Sequence, residues 1–310
     1  MEKIKLFPYP GAKTPIHETI EWYSDVVPFC KDGRDWWVEL SNPDSADFIW
    51  CGQIRQEEPN PFPIDEFPLL RSQPENHIVE LEGDFVDMPS GHPNAFREDF
   101  PNTIRIACGA PHRWRGQAVF PRPSFSRYLV HAARNMHTVF PEATNHSMGF
   151  LGFNDQHSIR KKVSRALTGL PSSKFDFTPG WQGIVPIGHI SRTHFENRMM
   201  DCSMALCPQG NGVATARFYE ACFYRRCPII IGETMLLGED QFDTSFAIQI
   251  DAWLSVEEMR NELAKAYSMS LSEARSRGNI ARQYFDEIVR KYFKDPTRCF
   301  IEWMKRKNLC

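Results

Sequence analysis

Residues 202–233 constrain this chain most, because strand, loop, helix and strand follow one another there without interruption. An apolar run from Met204 to Cys207 ends in Pro-Gln-Gly-Asn-Gly, a turn-rich loop carrying Gly210 and Gly212. A helical pattern begins near Ala214, and Pro228 then opens the β-branched run Ile229-Ile230-Ile231. Such a unit buries its strands in a parallel sheet and sets the loop and helix start at the strands' carboxyl ends. Open α/β sheets bind ligands at that edge, and backbone N–H groups meet anions there. Along the helix, Phe218, Ala221 and Cys222 form a core stripe, while Arg217, Glu220 and Tyr224 share a flanking face. An arginine and a carboxylate one turn apart at such a mouth suit a phosphate and a ribose. The same spacing also describes a solvated surface pair worth roughly a few tenths of a kcal/mol.

With 310 residues the chain exceeds the usual size of one core, so two domains of about 150 residues are expected. The boundary is placed near Pro141, giving 1–141 and 142–310. A net charge of −3 gives no general attraction to nucleic acid or anionic membrane. No apolar run approaches a bilayer span and residues 1–10 hold no signal-peptide core, so a soluble, cytoplasmic protein is expected. The nine cysteines form no Cys-x-x-Cys pair, and Cys51, Cys108, Cys207 and Cys222 sit in apolar stretches. Reduced, packed thiols follow from that placement. Without a His-Glu-x-x-His motif or paired Cys/His spacing, no structural metal site is expected.

The first half reads as short strands with irregular connections: 4–8, 47–51, 77–81, 104–108 and 117–120, with a helix over 16–27 and a proline-rich loop from 57 to 68. Asp84 follows the strand at 77–81 and a glycine, a rim position fit for a general base. A turn aspartate bonding its own backbone fits the Gly-Asp pair as well. The second half alternates as a doubly wound sheet does. Residues 146–153 form a glycine-bearing buried strand, and a helix capped by Asp155 or Ser158 and running to Leu170 turns Ile159, Val163 and Leu167 inward. Arg160 lies in that helix's first turn, where a cation gains nothing from the dipole. It is either an anion contact or a plain surface arginine. A loop after Pro171, a strand at 183–187, a helix over 192–200, a strand at 246–250 and a capping box at Ser255-Val-Glu-Glu258 complete the pattern, before amphipathic helices to residue 307.

Four segments in this order resemble the exostosin-like family of glycosyltransferases. They are His-Ile-Val-Glu-Leu-Glu-Gly-Asp at 77–84, Val-Phe-Pro-Arg-Pro at 119–123, and Met-Gly-Phe-Leu-Gly at 148–152 with Ile-Arg-Lys-Lys at 159–162. The fourth and most specific joins Leu-Cys-Pro-Gln-Gly at 206–210, Ala-Arg-Phe-Tyr-Glu-Ala at 216–221 and Cys-Pro-Ile-Ile-Ile at 227–231. The resemblance covers about two thirds of the chain. It implies an α/β fold of two Rossmann-like domains facing across a cleft (the GT-B type), with C-terminal helices packing back toward the N-terminal domain. It implies a nucleoside diphosphate sugar, UDP-linked, held by the C-terminal domain and transferred with inversion to a glycan hydroxyl. On this resemblance Arg217 and Arg160 meet the diphosphate, Glu220 the ribose, and Gly210 and Gly212 let the backbone close on the nucleotide. Asp84 is the base. Without an Asp-x-Asp pair no metal is expected as cofactor.

Two positions depart from the family pattern: Gln209 where an arginine is common, and Arg226 where a glycine precedes Cys227. Lacking an anchor and stem, the chain fits a microbial or viral cytoplasmic enzyme better than a Golgi one. Two other readings stand beside this. One is a nucleotide-binding module without catalysis. The other is a nicotinamide oxidoreductase, in which Gly210-x-Gly212 would be half a fingerprint with Thr215 at its third position.

Overall fold

The computed structural model describes residues 4–8, 38–40, 45–55, 74–82, 103–108, 110, 115–123, 129, 138–153, 158–178, 192–210 and 215–309. Within them the chain forms two α/β units, each built on a parallel sheet. One comprises Met1–Pro123 with Arg290–Cys310, the other Ser124–Val289. The two units divide between Pro123 and Ser124, and residues 290–310 group with the first of them.

In the first unit the strands are β1 (Ile4–Pro8), β2 (Val38–Leu40), β3 (Phe48–Arg55), β4 (His77–Glu82), β5 (Ile104–Cys108) and β6 (Val119–Arg122), in the order β2-β1-β3-β4-β5-β6. All neighbours are parallel, so every connection crosses over a face of the sheet. After β6 the unit is completed from the far end of the chain by α6 (Arg290–Lys294) and α7 (Pro296–Arg306). The Phe120 ring lies 5.3 Å from that of Phe300 and 5.5 Å from Trp303, and stacks on Tyr292 at 6.2 Å. The expected helix over 16–27, Asp84 and the loop at 57–68 lie outside the described residues.

The second unit carries β7 (Met148–Phe153), β8 (Ser173–Thr178), β9 (Met204–Pro208), β10 (Cys227–Ile231) and β11 (Ile248–Ile250), ordered β11-β10-β9-β7-β8. Its helices are α1 (Ser158–Ala166), α2 (Arg192–Asp201), α3 (Ala216–Phe223), α4 (Val256–Tyr267) and α5 (Leu271–Tyr284). Both β9 and β10 are buried at every position, which is why they read as unbroken apolar runs. Met148, Phe150, Leu206 and Ile229 pack beneath α1 and α4 through Val163 and Leu263. The Ser255 capping box is present in full, with Ser255 Oγ accepting from Glu258 N–H and Glu258 Oε2 from Ser255 N–H.

One strand corrects the sequence expectation. Ser173–Thr178 pairs with β7 along its whole length where a loop was expected, while 183–187 falls outside the described residues. At the edge of the sheet, β8 carries Phe175 and Phe177 in alternation with Lys174 and Asp176, so its sequence shows no unbroken apolar run.

Candidate functional site

Strand order fixes where the second unit can hold a ligand. From β7 the chain runs outward to β8 on one side, then returns to β9 and proceeds to β10 and β11 on the other. Strand order therefore reverses between β7 and β9, and open α/β sheets hold their ligands beyond the carboxyl ends of the strands at such a point. The helices entered directly after those two strands are α1 and α3. Arg160 stands in the first turn of α1 and Arg217 in the first turn of α3.

The two guanidinium groups converge. Cζ of Arg160 lies 5.8 Å from the Phe150 ring centre and Cζ of Arg217 lies 5.7 Å from it. Arg217 also lies over the Phe195 ring at 4.4 Å, so its planar group is held between aromatic surfaces from β7 and α2. Gly152 makes room for this, because a Cβ there would stand 2.5 Å from Phe150 Cζ. Gly210, two residues past β9, approaches Arg160: a Cβ on it would stand 3.2 Å from Arg160 Nη2. Arg160 and Arg217 thus meet over one ring, with Gly210 against Arg160 and Glu220 paired to Arg217, while Gly212 and Asp84 lie outside the described residues.

Glu220 is not on a solvated face. It is 1% exposed, and its Oε2 stands 2.5 Å from Arg217 Nη1. With Glu220 fully buried and Arg217 14% exposed, this is not the solvated surface pair that the spacing also describes. Nε of Arg217 is buried and finds no hydrogen-bond acceptor among the described residues. The N-cap of α3 is also open in part. Thr215 is extended but its side chain makes no cap hydrogen bond, whereas Ser255, Ser270 and Asp295 cap α4, α5 and α7. Such an edge, with two guanidinium groups, an uncapped helix start and one fixed carboxylate, suits a ligand carrying anionic oxygens and hydroxyls.

Sequence reasoning missed the aromatic support, since Phe150 and Phe195 come from other elements and carry no chemical label. It also placed Tyr224 on the flanking face. That residue is 1% exposed, donates its hydroxyl to Glu196 Oε1 at 3.3 Å and packs on Phe140 at 4.6 Å. Beneath the site, the Cys207 and Cys222 thiols are pushed well above their usual range by burial, which leaves them protonated packing groups. Among the described residues no cluster of three or more His, Cys, Asp or Glu could hold a metal ion.

No family model matches the chain, and no curated protein matches it. Solved structures to which it is similar include an alpha1,3-fucosyltransferase, at 13% identity and TM-score 0.45 over 89% of this chain and 81% of that one. A UDP-forming alpha,alpha-trehalose-phosphate synthase from Burkholderia vietnamiensis gives 10% identity and TM-score 0.42 over 84% and 72%. WaaG, a glycosyltransferase involved in lipopolysaccharide biosynthesis, gives 14% and 0.41 over 94% and 98%. At such values the similarities decide nothing about this chain, whose class rests on its own strand order: α/β, with two Rossmann-like parallel sheets. No helix among the described residues is long and apolar enough to cross a membrane.

Proposed function

We propose that this chain is an inverting glycosyltransferase of the GT-B type. It moves a sugar (pentose, hexose or hexuronic acid) from a UDP-linked donor to a hydroxyl of a glycan acceptor. The observation that carries the reading is the convergence of Arg160, Gly210, Arg217 and Glu220 at the strand-order reversal of the second sheet. The resemblance of the surrounding segments to exostosin-like enzymes supports it.

In this reading the bond from the anomeric carbon to the diphosphate oxygen breaks, and its electron pair leaves with the nucleotide. Charge develops on the diphosphate, where Arg217, Arg160 and the backbone N–H groups at the start of α3 stabilise it without a metal. Because its guanidinium is already pinned between rings, Arg217 needs little reorganisation at the moment of transfer. Glu220 accepts from the ribose hydroxyls. Asp84 takes the proton of the acceptor hydroxyl as its oxygen bonds to the opposite face of the anomeric carbon, which inverts the configuration.

The test is a thermal-shift panel of UDP, GDP, their sugars and NAD, followed by assay of nucleoside diphosphate release from the stabilising donor. UDP-sugar stabilisation and UDP release are expected. Stabilisation by NAD alone would turn the reading into an oxidoreductase, and binding without release for any acceptor would leave a nucleotide-binding module. Asp84→Asn should lower turnover about 10²–10⁴-fold while donor stabilisation persists.

A further inference from the structure

Beyond β11 the same edge of the sheet presents one large apolar side chain to solvent. Trp253 is 65% exposed, between a buried Ala252 and a Leu254 packed against the core. The backbone that carries it is fixed on every side. Trp253 N–H donates to Asp251 Oδ1 at 2.8 Å, which closes a side-chain turn. Lys162 of α1 reaches across to donate its Nζ to the carbonyls of Ala252 and Leu254, at 3.0 and 2.9 Å. Directly after it, the Ser255 capping box locks the start of α4. An isolated surface tryptophan needs no explanation by itself. One whose two flanking carbonyls are held by a lysine from another helix is a different case, because the turn cannot fold the ring back into the core.

The position relates it to the candidate donor site. Strand β11 lies two places from β9, about 10 Å at ordinary strand spacing, and both end at the same edge of the parallel sheet. Indole offers a flat apolar face about the size of a pyranose ring. The exposed carboxylate of Asp251 stands beside it in sequence and in space. A flat C–H face together with hydroxyls at its rim is what that pairing complements. The geometry points to Trp253, with Asp251, as a stacking platform for a neutral sugar ring of the acceptor glycan, set by Lys162 as a positioning residue. This rests on the glycosyl-transfer reading for the acceptor's role, but not for binding itself.

The experiment labels the full chain with 5-fluorotryptophan and follows its fluorine spectrum, the Trp253 resonance being assigned by its loss in Trp253→Phe. Lactose, cellobiose and maltose are the probes, glycerol is a polyol that cannot stack, and UDP tests the donor site. At least one disaccharide is expected to shift the Trp253 resonance, while glycerol does not. In Lys162→Met the same titration should need about tenfold more disaccharide, with folding checked by an unchanged far-ultraviolet spectrum. A resonance unmoved by all three disaccharides overturns the platform, even if UDP stabilises the protein and the donor reading survives. A disaccharide shift without any nucleotide binding would keep the platform and sink the transferase reading. Should glycerol act like the disaccharides, stacking is excluded.

Discussion

Two arginines mark the two ends of helix α3, one within its first turn and one just past its last, and the same side chain is used in opposite ways. Arg217, in its first turn, touches aromatic rings and one carboxylate, and leaves a buried Nε without an acceptor among the described residues. Arg226, just past its end, is fully buried and saturated by backbone. Its guanidinium donates to the carbonyls of Met199 at 2.7 Å, Pro141 at 3.0 Å, Arg225 at 3.1 Å and Met200 at 3.3 Å. Met199 and Met200 belong to the last turn of α2, whose carbonyls have no partner within the helix. Burial pushes the Arg226 pKa down from its usual value, and the ring of carbonyl dipoles offsets that cost. A guanidinium with every donor answered belongs to the scaffold. One with a buried donor left over, at the carboxyl edge of the sheet, carries a role that the fold alone does not account for.

The sharpest way to break this contrast is Arg226→Met. It strips four carbonyls of their donor and should cost about 4 kcal/mol in urea unfolding. An unchanged midpoint would remove the structural role. Next, the double change Arg217→Met with Glu220→Gln removes both charges of the site pair in similar volume. Turnover should fall about 10²-fold or more, with stability altered by less than about 1 kcal/mol. If the double variant unfolds as Arg226→Met does, the two arginines do the same job and the contrast fails. Gly278→Ala tests how rigid the Arg226 end is. A Cβ there would stand 2.6 Å from the Arg225 carbonyl oxygen, a backbone atom, so about 2 kcal/mol of destabilisation is expected. The smallest effects are expected at caps: Ser255→Ala should cost about 1 kcal/mol by thermal unfolding, and Thr215→Ala only about 0.2. A larger Thr215 cost would mean that the start of α3 is closed by its own side chain and not open to an anion.

What the sequence made legible follows from this contrast. The strand-loop-helix-strand unit could be read because β9 and β10 are buried on both faces, so no alternation obscures them. Arg160, Gly210, Arg217 and Glu220 could be named because helix starts after such strands are restricted positions. The meeting of Arg160 and Arg217 over Phe150 could not be read, since it depends on three separate elements packing together. Nor could the burial of Glu220, because an i,i+3 pair looks alike in water and in a core. Arg226 was visible only as a departure from the family pattern, with nothing local to say that the end of α2 would need it. Edge strand β8 escaped because its polar residues mask the apolar ones.

Arg290–Cys310 joins the unit begun by Met1–Pro123, so the chain leaves the first sheet, builds the whole of the second, and only then comes back. During synthesis the second unit, being continuous, is free to close while the ribosome is still at work. The first must wait with its Phe120 surface bare until Tyr292, Phe300 and Trp303 emerge. Assembly of the protein is therefore ordered from the inside of the chain outward, and the interval before the final helices arrive is when a chaperone has most to protect.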